Sequence, residues 1–332
     1  MNDNGKSRML KISKESLLKE AREKGYRPEI LEKVYRLLDL LEQFKNITYL
    51  KDRLVLKGGT AINLFCSDQL PRLSVDIDFN YIGSPDLEIM RQERAQLEAI
   101  VLNTCQRLRY ELHHNPKAHA GGKMILVYFS VLGNKGRLEL DFNYIFRVPL
   151  WDPAERSSII GLNPVPIIVL DIHELAAGKL HALLGREASR DLFDSHQLLT
   201  GWKLNFKKLR LAFTVYAGME RDDWQRISLD NIKFTVKDIR DKLIPVLRLD
   251  VSPSTSGRAI EEWAKKLVEE CKMSFSNLLP FSTNEIEFLE CLQRRGEIRP
   301  DLLTDDKEFC ERVIKHPLLN WRTKKIIKTQ MK

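Results

Sequence analysis

A chain of 332 residues is long enough for two ordinary domains. At 43% hydrophobic and 30% charged it can build real cores beneath a well-solvated surface. The net charge of +8 and pI of about 9.1 suit a polyanionic partner, although the excess is diffuse, and no apolar run approaches the ~20 residues of a membrane span.

The opening MNDNGKSRML is polar rather than a secretory leader. Cys66, Cys105, Cys271, Cys291 and Cys310 lack C-x-x-C spacing, so reduced thiols are expected, not a zinc site or disulfide frame. A cytoplasmic protein with no membrane partner follows from these features. Residues 13–45 read as helices, with Ser13 as a cap and Ile30, Val34, Leu37, Leu38 and Leu41 at helical spacing. RLVLKGG then reads as a short strand entering a glycine turn, and TAINLF as the start of a helix. Beyond Pro71, RLSVDIDFNYIG alternates about Asp76 and Asp78 as a strand does. Helix returns over 84–110, and MILVYFSVLGNKGRLELDFNYIF predicts a hairpin about the turn GNKG. PVPIIVLD reads as an extended lead-in to the helix IHELAAGKLHALLGRE, with ASRDLFDSHQLL as the next helix. From about residue 201 the pattern is helical, ISLDNIKFTV being the main β signal and SPSTSG at 252–257 a loop. The end of the chain, WRTKKIIKTQMK, is basic and without acids.

An acid pair between Val75, Ile77 and Phe79 is costly unless something stabilises the charges. Side chains two apart on a strand share a face, so Asp76 and Asp78 can meet one Mg²⁺, which completes its shell with water and substrate phosphates. Asp141, in LELDFN, is a third acid with apolar neighbours. If its strand joins the same sheet, three carboxylates meet at one edge, the arrangement that two-metal phosphoryl chemistry needs. Glu139 competes for that place, and Arg137 or Arg147 could instead pair with Asp141. Gly58, Gly59 and Thr60 stand at the strand-to-helix turn, where free backbone N–H groups suit a triphosphate.

A second cluster lies in GKLHALLGREASRDLFDSH. Lys179, in an Ala/Leu-rich helix, can reach a phosphate as a mobile point charge, with Arg186 and Arg190 adding to it. Asp191 and Asp194, three apart on the following helix, are surface neighbours, and either can pair with Lys179 or order the metal site. The alternative is a solvated helical hairpin held by salt bridges. His181 and His196 have no metal-type partner at close spacing and read as structural.

LVLKGGTAINLF, PRLSVDIDF and ELAAGKLHALLGREASRDLFD, in that order, resemble the AbiEii/AbiGii toxin family of nucleotidyltransferases, which includes the MenT toxins. The resemblance covers most of the chain, NEIEFLECLQRRGEIRPDLL included. It implies an α+β nucleotidyltransferase fold: a mixed sheet with flanking helices plus a mainly helical C-terminal domain, with the division expected at residues 1–200 and 201–332. It also implies a type IV toxin or phage-defence protein, neutralised by a winged-helix antitoxin. Such a toxin uses an NTP and Mg²⁺ to modify RNA, in some members the tRNA 3′ end. Residue by residue, Gly58, Gly59 and Thr60 match the glycine motif, Ser74, Asp76 and Asp78 the S-x-D-x-D segment, Lys179 the lysine motif and Asp194 the last acid. Asp141 fits the third carboxylate of the wider superfamily.

The resemblance therefore implies Asp76, Asp78, Lys179 and Asp194 as catalytic, Gly58, Gly59, Thr60, Ser74 and Lys179 as nucleotide-binding, and Asp76, Asp78 and Asp141 as metal ligands. Asp191 is then left to serve Arg186 or Arg190 as a surface pair worth at most about 1 kcal/mol. The chain departs from the pattern at Thr60, where many superfamily members have serine, and at the loop CSDQLP, which reads as an insertion. Arg322, Lys324, Lys325, Lys328 and Lys332 tilt the acceptor towards RNA. A small-molecule or protein hydroxyl as acceptor, or a catalytically silent binding module, are the alternatives; retention of the acids and Lys179 argues against the last.

Overall fold

The computed structural model describes residues 12–114, 121–220 and 223–330, so MNDNGKSRML and Lys332 lie outside the described residues. α1 (Lys14–Lys24) starts at the expected cap, where the Ser13 side chain accepts the Ser16 N–H at 3.1 Å, and ends at Gly25 with φ +71°. α2 (Pro28–Lys45) opens on its proline and buries Leu31, Val34, Leu37, Leu38 and Leu41. The single turn α3 (Thr48–Lys51) leads to β1 (Leu54–Lys57), which runs straight into the turn α4 (Gly58–Thr60) and a π-helical stretch, Ala61–Cys66. Then come β2 (Asp76–Tyr81), α5 (Leu87–Arg107), β3 (Glu111–His114), β4 (Gly121–Phe129), β5 (Lys135–Asn143), β6 (Ala154–Ser157) and β7 (Pro166–Val169).

The strands form one mixed sheet in the order β3-β4-β5-β2-β1-β7-β6, with β2–β5 and β1–β7 parallel and the other pairs antiparallel. The expected hairpin is β4–β5, but its loop is 130–134: Lys135 and Gly136 of GNKG already pair with Phe129 and Tyr128. Alternation along β2 and β5 divides their side chains between two faces. Ile77, Phe79, Leu140 and Phe142 are buried, with the Phe79 ring 5.8 Å from Phe142 and 6.3 Å from Phe44 of α2. Asp76, Asp78, Glu139 and Asp141 occupy the other, partly open face. The edge strands β3 and β6, ELHH and AERS, were not legible in the sequence, because all their side chains are exposed and no apolar alternation marks them.

The chain divides into two compact units. One runs to Ile145 and adds Pro153–Val169 and Val246–Val251; it holds the whole sheet. The other comprises Phe146–Asp152, Leu170–Pro245 and the chain from Ser252. Its helices are α6 (Ile172–Gly185), α7 (Ser189–Thr200), α8 (Phe206–Met219), α9 (Val236–Asp238), α10 (Gly257–Ser274), α11 (Thr283–Glu290), α12 (Lys307–Lys315) and α13 (Pro317–Gln330). Compactness thus groups α6 and α7 with the helical unit, ahead of the division expected at residue 201. The reason is packing: His181 of α6 stacks on Phe213 of α8 at 4.4 Å, and Phe193 of α7 lies 6.0 Å from Trp263 of α10. ISLDNIKFTV is not a strand. Ser228 and Thr235 accept the backbone N–H groups of Asp230 and Asp238, capping short helical turns in place of a ladder. Among the described residues no helix is long and apolar enough to cross a membrane.

Candidate active site

The acids meet through strand register. β2 and β5 pair in parallel with Asp76 beside Glu139 and Asp78 beside Asp141. Four carboxylates therefore share one partly open face of two adjacent strands. Lys123 of β4 stands directly opposite Asp141, and its Nζ is 2.8 Å from Glu139 Oε2. That ion pair raises the Lys123 pKa, and the charges of Asp76 and Asp78 add to the effect. Glu139, the competitor for the third acid's place, is thus engaged by a lysine. The carboxylates of Asp78 and Asp141 accept no hydrogen bond and form no ion pair among the described residues. The unengaged carboxylates of Asp78 and Asp141 make this face an attractor for cations. Lys123 itself escaped the reading of the sequence: counting outward from a turn at GNKG would have put Tyr128 opposite Asp141, whereas the loop is 130–134 and the register is shifted accordingly.

The glycine turn explains how Asp78 is held. Lys57 is the register partner of Asp78, and the next residue, Gly58, has φ +73°. A Cβ at Gly58 would fall 2.2 Å from Asp78 Oδ2 and 3.1 Å from Asp78 Cβ, so only glycine leaves room for that carboxylate. Gly59 accepts a hydrogen bond on its carbonyl from Asn63 Nδ2 at 2.9 Å. Thr60 is fully buried and its hydroxyl donates to the backbone carbonyl of Asp76. Its side chain therefore ties β2 to the turn, and only backbone N–H groups remain there for a phosphate. The helix that starts at Gly58 has no side-chain cap, which leaves its first N–H groups to solvent or ligand. Ser74 is buried in the lead-in to β2, beside Leu73, whose N–H donates to the Val246 carbonyl at 2.8 Å. Segment 246–251 also binds Arg248 N–H to the Pro71 carbonyl at 2.9 Å, so the loop CSDQLP is pinned from a distant part of the chain.

Among the described residues no three acids, histidines or cysteines stand close enough to form a metal cage on their own. The expected trio Asp76, Asp78 and Asp141 is therefore brought to one face without being closed into a shell. This suits Mg²⁺, which is held by one or two carboxylates and completed by water and substrate phosphates. Two unengaged acids in register, one seated against a glycine, fit such a site.

In the helical unit, α6 and α7 bring Lys179, Asp191 and Asp194 together. Lys179 Nζ lies 2.8 Å from Asp191 Oδ1 and 3.1 Å from Asp194 Oδ2, and Arg186 Nε lies 2.7 Å from Asp191 Oδ2. The side chains of Asp191 and Asp194 are only 3% and 1% exposed and that of Lys179 10%, which settles two expectations. Lys179 is pinned between two carboxylates and is not a mobile point charge. Asp191 does pair with Arg186, but as the buried centre of a network and not as a surface pair. Burial raises its pKa, yet Lys179 and Arg186 outweigh that and hold the carboxyl below its usual range. The start of α7 is fixed by Asp238, whose carboxylate accepts both the N–H and the hydroxyl of Ser189 at 2.8 and 2.6 Å. Both histidines are structural, as expected: His181 Nε2 lies 2.8 Å from the Phe213 carbonyl, and His196 pairs with Glu270.

A family model described as nucleotidyl transferase AbiEii toxin, type IV TA system, matches residues 39–275. Among solved structures the chain is similar to MenT4, a nucleotidyltransferase toxin of Mycobacterium tuberculosis H37Rv, with a TM-score of 0.60 at 15% identity over 92% of this chain and 99% of that one. That likeness concerns the fold: a mixed sheet with flanking helices and a helical C-terminal region. No curated protein sequence matches. With the matched segment spanning the glycine turn, both β2 aspartates, Asp141 and the Lys179 network, the chain belongs to the AbiEii family of nucleotidyltransferase toxins of type IV toxin–antitoxin systems.

Proposed function

We propose that the protein transfers NMP from an NTP to an RNA acceptor in the presence of Mg²⁺, with the tRNA 3′ end as the acceptor, so that translation stops until a cognate winged-helix antitoxin neutralises it. The observation that carries this reading is the register of Asp78 with Asp141 on one open face, with Gly58 leaving space for the Asp78 carboxylate. Mg²⁺ held by Asp76, Asp78 and Asp141 would activate the acceptor hydroxyl and neutralise the departing pyrophosphate. In the transfer the hydroxyl oxygen bonds to the α-phosphorus, the bond from that phosphorus to the α–β bridging oxygen breaks, pyrophosphate leaves and the hydroxyl proton passes to solvent. The N–H groups at Gly58, Gly59 and Thr60 orient the triphosphate, and Ser74 is assigned to nucleotide binding with them. Lys179 and Asp194 complete the assignment. Because Lys179 is clamped by Asp191 and Asp194, its part is that of a fixed charge whose position the two acids set. The catalytic portion in this reading covers residues 1–200, and the work is done in the cytoplasm.

Incubating the protein with total RNA, Mg²⁺ and each labelled NTP in turn tests the reading. Label appearing on tRNA from one or more NTPs is expected. Label on a small molecule or a protein with none on RNA would give the acceptor a different class, and no label on anything would make the protein a silent binder.

A further inference from the structure

Several exposed cations on α10 and α12 are paired with acids of the same helix. On α10, Arg258, Lys265 and Lys266 each pair with a glutamate four residues away, and on α12 Lys315 pairs with Glu311. α13 contains no acid at all. Its Leu319 and Thr323 are buried, and its Arg322 is turned inward, donating to the Gly218 carbonyl at 2.7 Å. Trp321, Lys324, Lys325 and Lys328 are exposed, at i, i+3, i+4 and i+7, so they form a single stripe on the solvent side of the helix. Lys324 and Lys328 form no ion pair among the described residues. Trp321 is 58% exposed, and Lys325 Nζ lies 5.6 Å from its ring centroid.

We propose that this stripe of α13 binds single-stranded RNA, with Trp321 stacking on a base and Lys324, Lys325 and Lys328 contacting successive phosphates. The inference rests on the reading of RNA as the acceptor and names the surface that holds it. An exposed indole flanked by cations is the pairing that single-strand binders use, because every base offers a face to stack on and every nucleotide a phosphate. Membrane attachment is the poorer occupant, since the apolar side of α13 is spent on the protein interior. An acidic protein would satisfy the lysines but gives the isolated indole no flat partner. From Trp321 to Lys328 the stripe runs about 10 Å, enough for a few nucleotides of an extended strand.

Filter binding without NTP, over a salt series, tests the proposal on the full chain with a single-stranded RNA of about 15 nucleotides and its duplex. Trp321→Ala is expected to weaken single-strand binding by about 5- to 150-fold, while Trp321→Phe stays within a few-fold of wild type. Replacing Lys324, Lys325 and Lys328 together by Ala should flatten the log–log salt slope by about 2. Melting temperatures should be unchanged, because these side chains are exposed. If wild type binds the RNA and both variants bind it equally well, the stripe is not the interface, while RNA as acceptor stands. If wild type binds no RNA, the stripe and the acceptor reading fall together. Stronger retention of anionic vesicles or of an acidic protein than of the single strand, or equal affinity for the duplex, would also overturn the proposal.

Discussion

Asp78 combines openness with a fixed seat, and this makes it the residue whose loss should be cleanest. Its carboxylate has no hydrogen-bond or ion-pair partner among the described residues, so Asp78→Ala removes no native contact of that kind and should leave stability within about 0.5 kcal/mol of wild type. Transfer should fall to background, as it should for Asp76→Ala. Gly58→Ala acts on the same carboxylate indirectly: it needs φ +73° and drives a methyl group onto Asp78. A cost of about 1–3 kcal/mol from the backbone alone, together with loss of transfer, is expected from melting and activity assays run side by side. Asp191 and Asp194 should separate differently. Asp191→Asn weakens contacts to both Lys179 and Arg186 within a buried network and should cost about 3–5 kcal/mol. Asp194→Asn leaves the Lys179–Asp191 pair in place and should cost more turnover per folded molecule. A larger loss of turnover at Asp191, counted per folded molecule, would reverse that assignment.

Elements with strong periodicity were legible in the sequence, and those built by long-range contacts were not. β2 and β5 declared themselves through acids alternating with Ile77, Phe79, Leu140 and Phe142, and their shared face followed from that alternation. Phe79→Ala, at the centre of the ring contacts with Phe44 and Phe142, should cost about 3–5 kcal/mol in denaturant unfolding. The parallel register of β2 with β5 could not be read, since it depends on pairing between strands that are distant in the chain. Nor could the hold that segment 246–251 takes on the CSDQLP loop, which runs through backbone groups carrying no side-chain signature. The burial of the Lys179 network was hidden for a related reason. Charged residues at helical spacing look alike on a solvated face and in an interior cluster, and only the packing of α6 against α7 and α8 distinguishes them.

For the whole molecule, pH should act mainly through buried groups of the helical unit. Burial pushes the Glu174 carboxyl up to about 8, against its hydrogen bonds from Leu150 N–H and Tyr216. From its unfolded value near ~4.3 up to about 8, the folded chain keeps a proton the unfolded chain has lost, so stability falls as pH rises through that window. Burial holds His181 at about 4 and His316 at about 3, so both are neutral when folded. Below the unfolded value near ~6.5 the unfolded chain gains protons the folded one refuses, and stability falls as pH drops. Two histidines outweigh one glutamate on the acid side, at about 1.4 kcal/mol per group per pH unit. Melting temperature across this range should therefore peak near ~6.5, and Glu174→Gln should flatten its alkaline side and steepen the acid side between ~4.3 and ~6.5.

The central claim is that the open acid face of β2 and β5 drives a metal-dependent nucleotidyl transfer. The most direct test titrates Mg²⁺ into wild type and Asp78→Asn with a labelled NTP and total RNA, and follows label on the RNA. Labelling that rises with Mg²⁺ in wild type and stays at background in a variant of unchanged melting temperature is the predicted result. Equal labelling by the two proteins at every Mg²⁺ concentration would contradict it.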